Sequence, residues 1–309
     1  MNQQHDSVVS YCSVHSNAAH EPLIGSASRT DYWILLEYPY PPSAKALQEN
    51  QLPHEVNRYL AALQSTLPAS RVLLIRKETS SPSSHPALYL ADGRDGQAIL
   101  YKIHINSFLD LLGLDIPAIF SDRTASQAFS CNEHLFLICT NGKRDACCSK
   151  WGLPLFNSLS KQYGEMVWQT SHVGGHRFAP NLVCLPHGIF YGRVPLDQAS
   201  RLAGRYLNGL LTLDFFRGNA AYPPHAQAAE YFIRLDRREE RMGSYHLESV
   251  SSIAENHWEI HFSNPHDRVN FRVVIEAIQT DKEIFESCST PSERKVIKEF
   301  RLQQPIQEV

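Results

Sequence analysis

The chain has 309 residues, of which 43% are hydrophobic and 20% are charged. This is the length of about two folded domains, which excludes both a small disulfide-stapled scaffold and a disordered chain. The 29 basic and 32 acidic side chains leave a formal net charge of −3, so no overall positive charge would attract nucleic acid or an anionic membrane. No apolar run approaches the roughly 20 residues of a membrane-spanning helix. We therefore expect neither nucleic acid nor a membrane as a partner.

The N-terminus and the cysteines indicate the compartment and the kind of chemistry. Residues 1–7 contain neither a basic nor an apolar segment, so the sequence predicts no secretory signal and a cytoplasmic protein. In that compartment, 7 unevenly spaced cysteines favour metal or redox chemistry over a disulfide framework. Several of them lie between Cys139 and Cys148, and Cys184 is expected inside a strand. The cysteines without an evident partner in the sequence are Cys12, Cys131 and Cys288.

The first half of the chain predicts strands and helices in a mixed order, after a polar, irregular stretch at residues 1–30. Short apolar runs indicate buried strands, and apolar residues spaced by three and four, such as Val56, Leu60 and Leu63, indicate a helix. In chain order, the predicted elements are a strand at 31–37, a helix at 53–67, a strand at 71–76, a hairpin at 87–91 and 98–103 with its turn at 92–96, and a short helix at 108–112.

The second half repeats this order with different residues. Its predicted elements are a strand at 135–139, a helix at 153–163, a strand at 165–169, a hairpin at 181–185 and 189–194, and a helix at 196–211. The repetition predicts an α/β fold of two tandem units, each with a mixed sheet flanked by helices. This order of elements is typical of thioredoxin-like domains.

The composition changes after residue 222. A helix is predicted at 226–241, and strands at 245–250, 258–262 and 271–278 predict a small β-rich C-terminal extension. The sequence thus predicts three parts. These are an N-terminal unit at 1–125, a second unit at 126–222, and a linker helix with the β-rich extension at 223–309.

Two segments of the second unit carry candidate metal ligands. The segment CTNGKRDACC follows a predicted buried strand and runs from Cys139 to Cys148, and SHVGGHR follows the next strand along the chain. Adjacent glycines are costly inside a helix, so His172 and His176 are expected in a tight loop that turns both imidazoles toward one point. Two thiolates and two imidazoles suit either tetrahedral zinc or a [2Fe–2S] cluster, and the ligand types alone do not distinguish them.

These segments, together with the YGRV that ends the second hairpin and residues 11–37, resemble the sucrase/ferredoxin-like family. The resemblance extends over residues 11–215 and implies a thioredoxin-like ferredoxin domain. It also implies a [2Fe–2S] cluster held by a Cys-x8-Cys and a His-x3-His pair, which correspond here to Cys139 with Cys148 and to His172 with His176. Cys147 is a neighbour or a replacement ligand.

Charged residues beside these ligands are candidates for cofactor binding. Lys143, Arg144 and Arg177 can offset the charge of a cluster or donate hydrogen bonds near its sulfur atoms, and Asp145 can orient the loop. The alternative is that all of them are solvated loop charges. The first unit has residues 37–39 and 78–80 where the ligands would be, so no cluster is expected there.

The leading functional prediction is an electron-transfer protein whose partner is an electron-donor reductase or a redox acceptor protein. It would be a carrier rather than a catalyst of its own substrate reaction, and a homodimer is left open. The alternatives are a structural zinc protein and a thiol–disulfide oxidoreductase on a thioredoxin-like scaffold. The absence of any Cys-x-x-Cys spacing weighs against the oxidoreductase.

Overall fold

The computed structural model describes residues 11–78, 85–94, 96 and 98–309. The predictions at residues 1–10, 79–80 and 95 lie outside these residues. The α-helices are α1 (Cys12–Ala18), α2 (His54–Thr66), α3 (Ile116–Ser121), α4 (Ala146–Tyr163), α5 (Leu196–Leu207) and α6 (Pro224–Arg237). Short 3₁₀ helices lie at Phe108–Gly113, Ala125–Phe129, Gly164–Met166, His176–Phe178 and Leu213–Phe215.

The strands form two sheets. The first contains β1 (Tyr32–Glu37), β2 (Ser70–Arg76), β3 (Ala87–Asp92), β4 (Ile99–His104), β5 (Ser130–Cys131), β6 (Leu135–Cys139), β7 (Val167–Thr170), β8 (Leu182–Leu185), β9 (Ile189–Tyr191) and β10 (Phe216–Asn219). The second contains β11 (His246–Ala254), β12 (His257–Asn264), β13 (Val269–Phe285), β14 (Arg294–Leu302) and β15 (Gln307–Glu308).

The first sheet shows the repetition that the sequence predicts. Its strand order is β10-β9-β8-β6-β7-β2-β1-β3-β4-β5. In each half the first two strands are parallel, and the third is antiparallel to the first and begins a hairpin. The halves meet where β2 pairs antiparallel with β7. The mixed α/β fold with flanking helices is therefore confirmed, but the two halves share one continuous sheet instead of forming two.

The central strands explain why the sequence contains continuous apolar runs. All residues of β6 are buried, because both faces of the sheet are covered. Alternate side chains belong to different cores: Leu137 and Cys139 lie in a core that extends across both halves, whereas Phe136 and Ile138 pack with α4 and α5. This alternation points the Cys139 side chain toward the face shared by the two halves.

The C-terminal part is an antiparallel sheet with α6 against it. Its strand order is β11-β12-β13-β14, and β15 pairs with β13. Ala229 and Ile233 of α6 share a buried core with Phe262 and Val273 of this sheet. The β-rich extension is thus present. Its third strand, β13, is longer than predicted, with 17 residues, and ends near α1.

Several helices differ from the sequence-based expectation: α3 was not predicted, α5 and α6 end four residues earlier than predicted, and α1 and α4 differ as follows. Residues 12–18 form α1 in a stretch predicted to be irregular. This helix is too short to show an apolar repeat in the sequence. Tertiary contacts stabilise it, such as that of His15 with Phe285, whose ring centroids are 4.5 Å apart. Helix α4 begins at Ala146, not near Leu153, because Asp145 caps it by accepting a hydrogen bond from the Cys147 N–H.

Candidate metal centre

Two cysteines and one histidine form a compact group of donor atoms. Cys139 is the last residue of β6, and Cys148 lies in the first turn of α4. Their Sγ atoms are 3.7 Å and 3.8 Å from His172 Nδ1, respectively, and the donor atoms of all three residues lie within 4.8 Å of one another. Both cysteines are buried and His172 is half-buried. We term these three residues the Cys139 group; their chemistry suits a metal ion.

Helix α4 must approach the end of β6 closely to bring Cys148 to Cys139. Gly152 makes this approach possible, because a Cβ atom at this position would meet the main-chain oxygen of Cys139. We expect Gly152→Ala to displace α4 and lower the free energy of unfolding by about 1 to 3 kcal/mol, the usual range for overpacking. Urea unfolding of the two proteins measures this change.

The matched control for this substitution is Gly204→Ala in α5. A Cβ there would have an ordinary contact at 3.4 Å from Tyr163 Oη, and alanine gains up to about 1 kcal/mol in a helix over glycine. Equal stability changes at Gly152 and Gly204 would contradict a close packing role for Gly152.

The loop after β7 brings the two histidines together. Gly174 and Gly175 have φ angles of 97° and 71°, a left-handed conformation that favours glycine. The chain reverses there, and the rings of His172 and His176 lie with centroids 5.2 Å apart and planes 71° apart. Of the residues predicted as ligands, three thus form the Cys139 group, and His176 lies directly beside it.

Asp145 orients His176. Its Oδ2 atom is 2.8 Å from His176 Nδ1 and also accepts hydrogen bonds from the Ser287 hydroxyl and the Cys288 N–H. Burial alone would raise the pKa of Asp145, but the hydrogen bond from His176 and the backbone N–H groups hold it well below its usual range. Because Nδ1 donates to this carboxylate, we assign Nε2 as the ring nitrogen available to a ligand.

The two thiols of the Cys139 group shift each other's pKa in opposite directions. A hydrogen bond from Cys148, with others from His172 and the Val173 N–H, holds the pKa of Cys139 well below its usual value. The pKa of Cys148 is correspondingly raised, because it is the donor to Cys139 and is buried. A half-buried cation lies nearby: Arg71 donates to the Val173 carbonyl at 2.7 Å, and desolvation lowers its pKa while the Cys139 charge raises it. Arg71 carries no motif that identifies it in the sequence.

A second group of thiols lies next to the first. Cys147 Sγ is 3.5 Å from Cys12 Sγ and 3.3 Å from Cys288 Sγ, and Cys12 Sγ is 3.7 Å from Asp145 Oδ1. These four residues, here the Cys147 group, have donor atoms within 4.8 Å of one another. Hydrogen bonds from Cys12 and Ser13 lower the pKa of Cys147 to about 6. Sequence reasoning missed this group because Cys12 and Cys288 are 276 residues apart.

The charged residues predicted near the ligands have different environments. Lys143 and Arg144 are exposed. Arg177 forms ion pairs with Glu21 at 2.8 Å and Glu286 at 3.1 Å, so it connects the N-terminal and C-terminal segments to the histidine loop. Of these four residues, Asp145 is the one whose side chain contacts a predicted ligand, His176.

A surface cavity of about 300 Å³ reaches the Cys139 group. Its lining includes His172, Lys45 and Arg144, and the two cations are exposed. His172 is therefore the member of the group that a molecule at the surface can approach, and it would do so past two positive charges.

None of the helices in the described ranges is both long and apolar enough to cross a lipid bilayer.

Comparison with known proteins gives the following similarities. Residues 23–218 match the model of the sucrase/ferredoxin-like family; this range includes all the predicted ligands but neither Cys12 nor Cys288. "Altered inheritance of mitochondria protein 32" of Meyerozyma guilliermondii is 32% identical over an alignment of 101 residues, which covers 28% of this chain and 34% of that protein. The chain thus spans about a third of the length of this relative. No solved structure matches.

Proposed function

Since this chain belongs to the sucrase/ferredoxin-like family, we propose that it is an electron-transfer protein that carries a [2Fe–2S] cluster. The observation that carries the proposal is the Cys139 group with His176 beside it. Cys139 and Cys148 supply two buried thiols at 3.7 Å and 3.8 Å from the Nδ1 atom of His172. The repeated strand order further supports two thioredoxin-like units, of which the second holds the cluster.

The donor set fits such a cluster in number and kind. Cys139, Cys148, His172 and His176 would hold it, and when bound it would supply one-electron transfer at a potential that neutral imidazole ligands raise. Asp145 fixes the tautomer of His176, so Nε2 remains free to bind. The contacts of Cys139 with Cys148 and His172 and the nearby Val173 N–H lower the pKa of the Cys139 thiol.

The test is a visible absorption and electron paramagnetic resonance spectrum of the anaerobically purified protein, before and after dithionite. We expect a chromophore that bleaches on reduction, with about two irons and two sulfides per chain. His172→Ala and His176→Ala should each change or abolish the signal of the reduced protein. A colourless protein that holds zinc at the Cys139 group after iron-replete, anaerobic expression would overturn the proposal.

The cavity over His172 predicts the charge of the redox partner. Lys45 and Arg144 make this approach positive, so we propose a reductase or an acceptor protein with an acidic surface. The double variant Lys45→Glu with Arg144→Glu should slow oxidation of the reduced protein by the anion ferricyanide about tenfold at low salt, and should speed oxidation by hexaamminecobalt(III). Stopped-flow absorption measures both rates.

The control for this prediction is Lys298→Glu, which changes an exposed lysine of β14 outside the cavity lining. It should leave both rates nearly unchanged. Rates that fall with both oxidants in the double variant would indicate structural damage and contradict electrostatic attraction at this cavity.

A further inference from the structure

The Cys147 group brings together three distant parts of the chain. Cys12 lies at the start of α1, Cys147 in the first turn of α4, and Cys288 in the segment after β13. Cys12 and Cys147 are fully buried. When three thiols and a carboxylate are buried together, new partners must replace the water that they lose, because buried polar groups without partners are costly.

We propose that Cys12, Cys147, Cys288 and Asp145 bind a zinc ion at a site separate from the Cys139 group. Three thiolates and one carboxylate around Zn²⁺ carry the same total charge as the common four-cysteine zinc site. All four residues are protein ligands, so this site is closed and its role is structural.

The distances suit a tetrahedral ion. With Zn–S bonds of about 2.3 Å, the sulfur atoms of a tetrahedral site are about 3.8 Å apart. Cys147 Sγ lies 3.5 Å from Cys12 Sγ and 3.3 Å from Cys288 Sγ. A disulfide would need a sulfur separation of about 2.05 Å, and all three cysteines are free.

The hydrogen bonds around the sulfur atoms are those that support metal thiolates. Ser13 donates to Cys147 Sγ from its N–H at 3.5 Å and its hydroxyl at 3.2 Å, and the Cys12 N–H donates to Cys288 Sγ at 3.3 Å. Such donors stabilise the anionic sulfur and orient it toward an ion. Asp145 Oδ2 accepts from His176, Ser287 and Cys288. Asp145 Oδ1 accepts the Cys147 N–H at 2.9 Å and faces Cys12 Sγ at 3.7 Å, so its second lone pair is the one directed to the thiols.

The site is distinct from the Cys139 group although the two are neighbours. Cys147 and Cys148 are consecutive on α4 and therefore point in directions about 100° apart. Asp145 and His176 lie between the groups, since Asp145 contacts His176 Nδ1 at 2.8 Å and His176 Nδ1 is 3.9 Å from Cys12 Sγ. A zinc ion here would attach α1 and the segment after β13 to the helix that carries Cys148.

The experiment measures zinc and iron in the full-length protein by mass spectrometry, with Cys12→Ser, Cys288→Ser and the control Cys131→Ser. The wild type and Cys131→Ser should contain one zinc per chain. Cys12→Ser and Cys288→Ser should each lose zinc to about a tenth or less while their iron content and visible absorption persist. Cobalt(II) loaded into zinc-free protein should show thiolate charge-transfer bands that these two variants lack.

Zinc that persists in both variants, or its absence from wild type grown with zinc, would overturn the proposal. So would a disulfide between Cys147 and Cys12 or Cys288 in zinc-free wild type. Cys288 is half-buried in an irregular segment, so its variant remains informative if Cys12→Ser does not fold. If the electron-transfer proposal fails because the Cys139 group holds zinc, iron is absent throughout and the wild type contains two zinc ions per chain. One of these is then lost on Cys139→Ser and the other on Cys12→Ser or Cys288→Ser.

Discussion

Cys148→Ser should lose the iron chromophore almost completely, whereas Cys147→Ser should keep it. The two residues are adjacent, equally buried and both in the first turn of α4. They differ in what they face: Cys148 lies 3.8 Å from His172 Nδ1, and Cys147 lies 3.3 Å from Cys288 Sγ. The affinity for a cluster depends on each of its ligands, and Cys148→Ser removes one thiolate. We therefore expect the iron content per chain of Cys148→Ser to be about a tenth of that of wild type or less.

The measurement is iron, sulfide and visible absorption after anaerobic purification of both variants. Cys184→Ser is a control for the loss of a buried thiol, because Cys184 lies inside β8 and packs with Phe136. The reverse pattern, with iron lost from Cys147→Ser and kept in Cys148→Ser, would place the cluster in the Cys147 group and contradict both proposals.

Asp145→Ala should destabilise the protein by about 3 to 5 kcal/mol, because several buried donors would lose the acceptor they share, each at a cost of about 1 to 3 kcal/mol. The carboxylate is fully buried, and its loss leaves His176, the Ser287 hydroxyl and two backbone N–H groups without their acceptor. It also removes the group that orients His176. We therefore expect iron affinity to fall ten- to hundredfold, as for other residues that position a metal-ligating histidine.

Urea unfolding and competition with an iron chelator measure these two effects. Asp197→Ala is the matched control, because Asp197 is an exposed acidic residue in the first turn of α5. Its effect on stability should stay within about 0.5 kcal/mol. Iron affinity equal to wild type in a folded Asp145→Ala protein would contradict the positioning role.

The sequence alone determined the features that depend on short segments. Alternating or continuous apolar runs identified the main strands of both halves, since burial of a strand requires such runs wherever it lies in the sheet. The short segments 139–148 and 172–176 marked the candidate ligands, because each brings its donors together within a few residues of the end of a strand. The resemblance to the family then selected Cys139 and Cys148 among the cysteines of the first segment. The family resemblance rests on these same local motifs, and the family is shown by the match over residues 23–218.

Only the tertiary structure decided what depends on distant segments. The pairing of β2 with β7 unites the two halves in one sheet, and no local pattern specifies which edges meet. The start of α4 depends on the Asp145 cap, which apolar periodicity does not detect. Cys12 and Cys288 meet across 276 residues because α1 and the end of β13 pack together, and this packing, not sequence spacing, creates the Cys147 group.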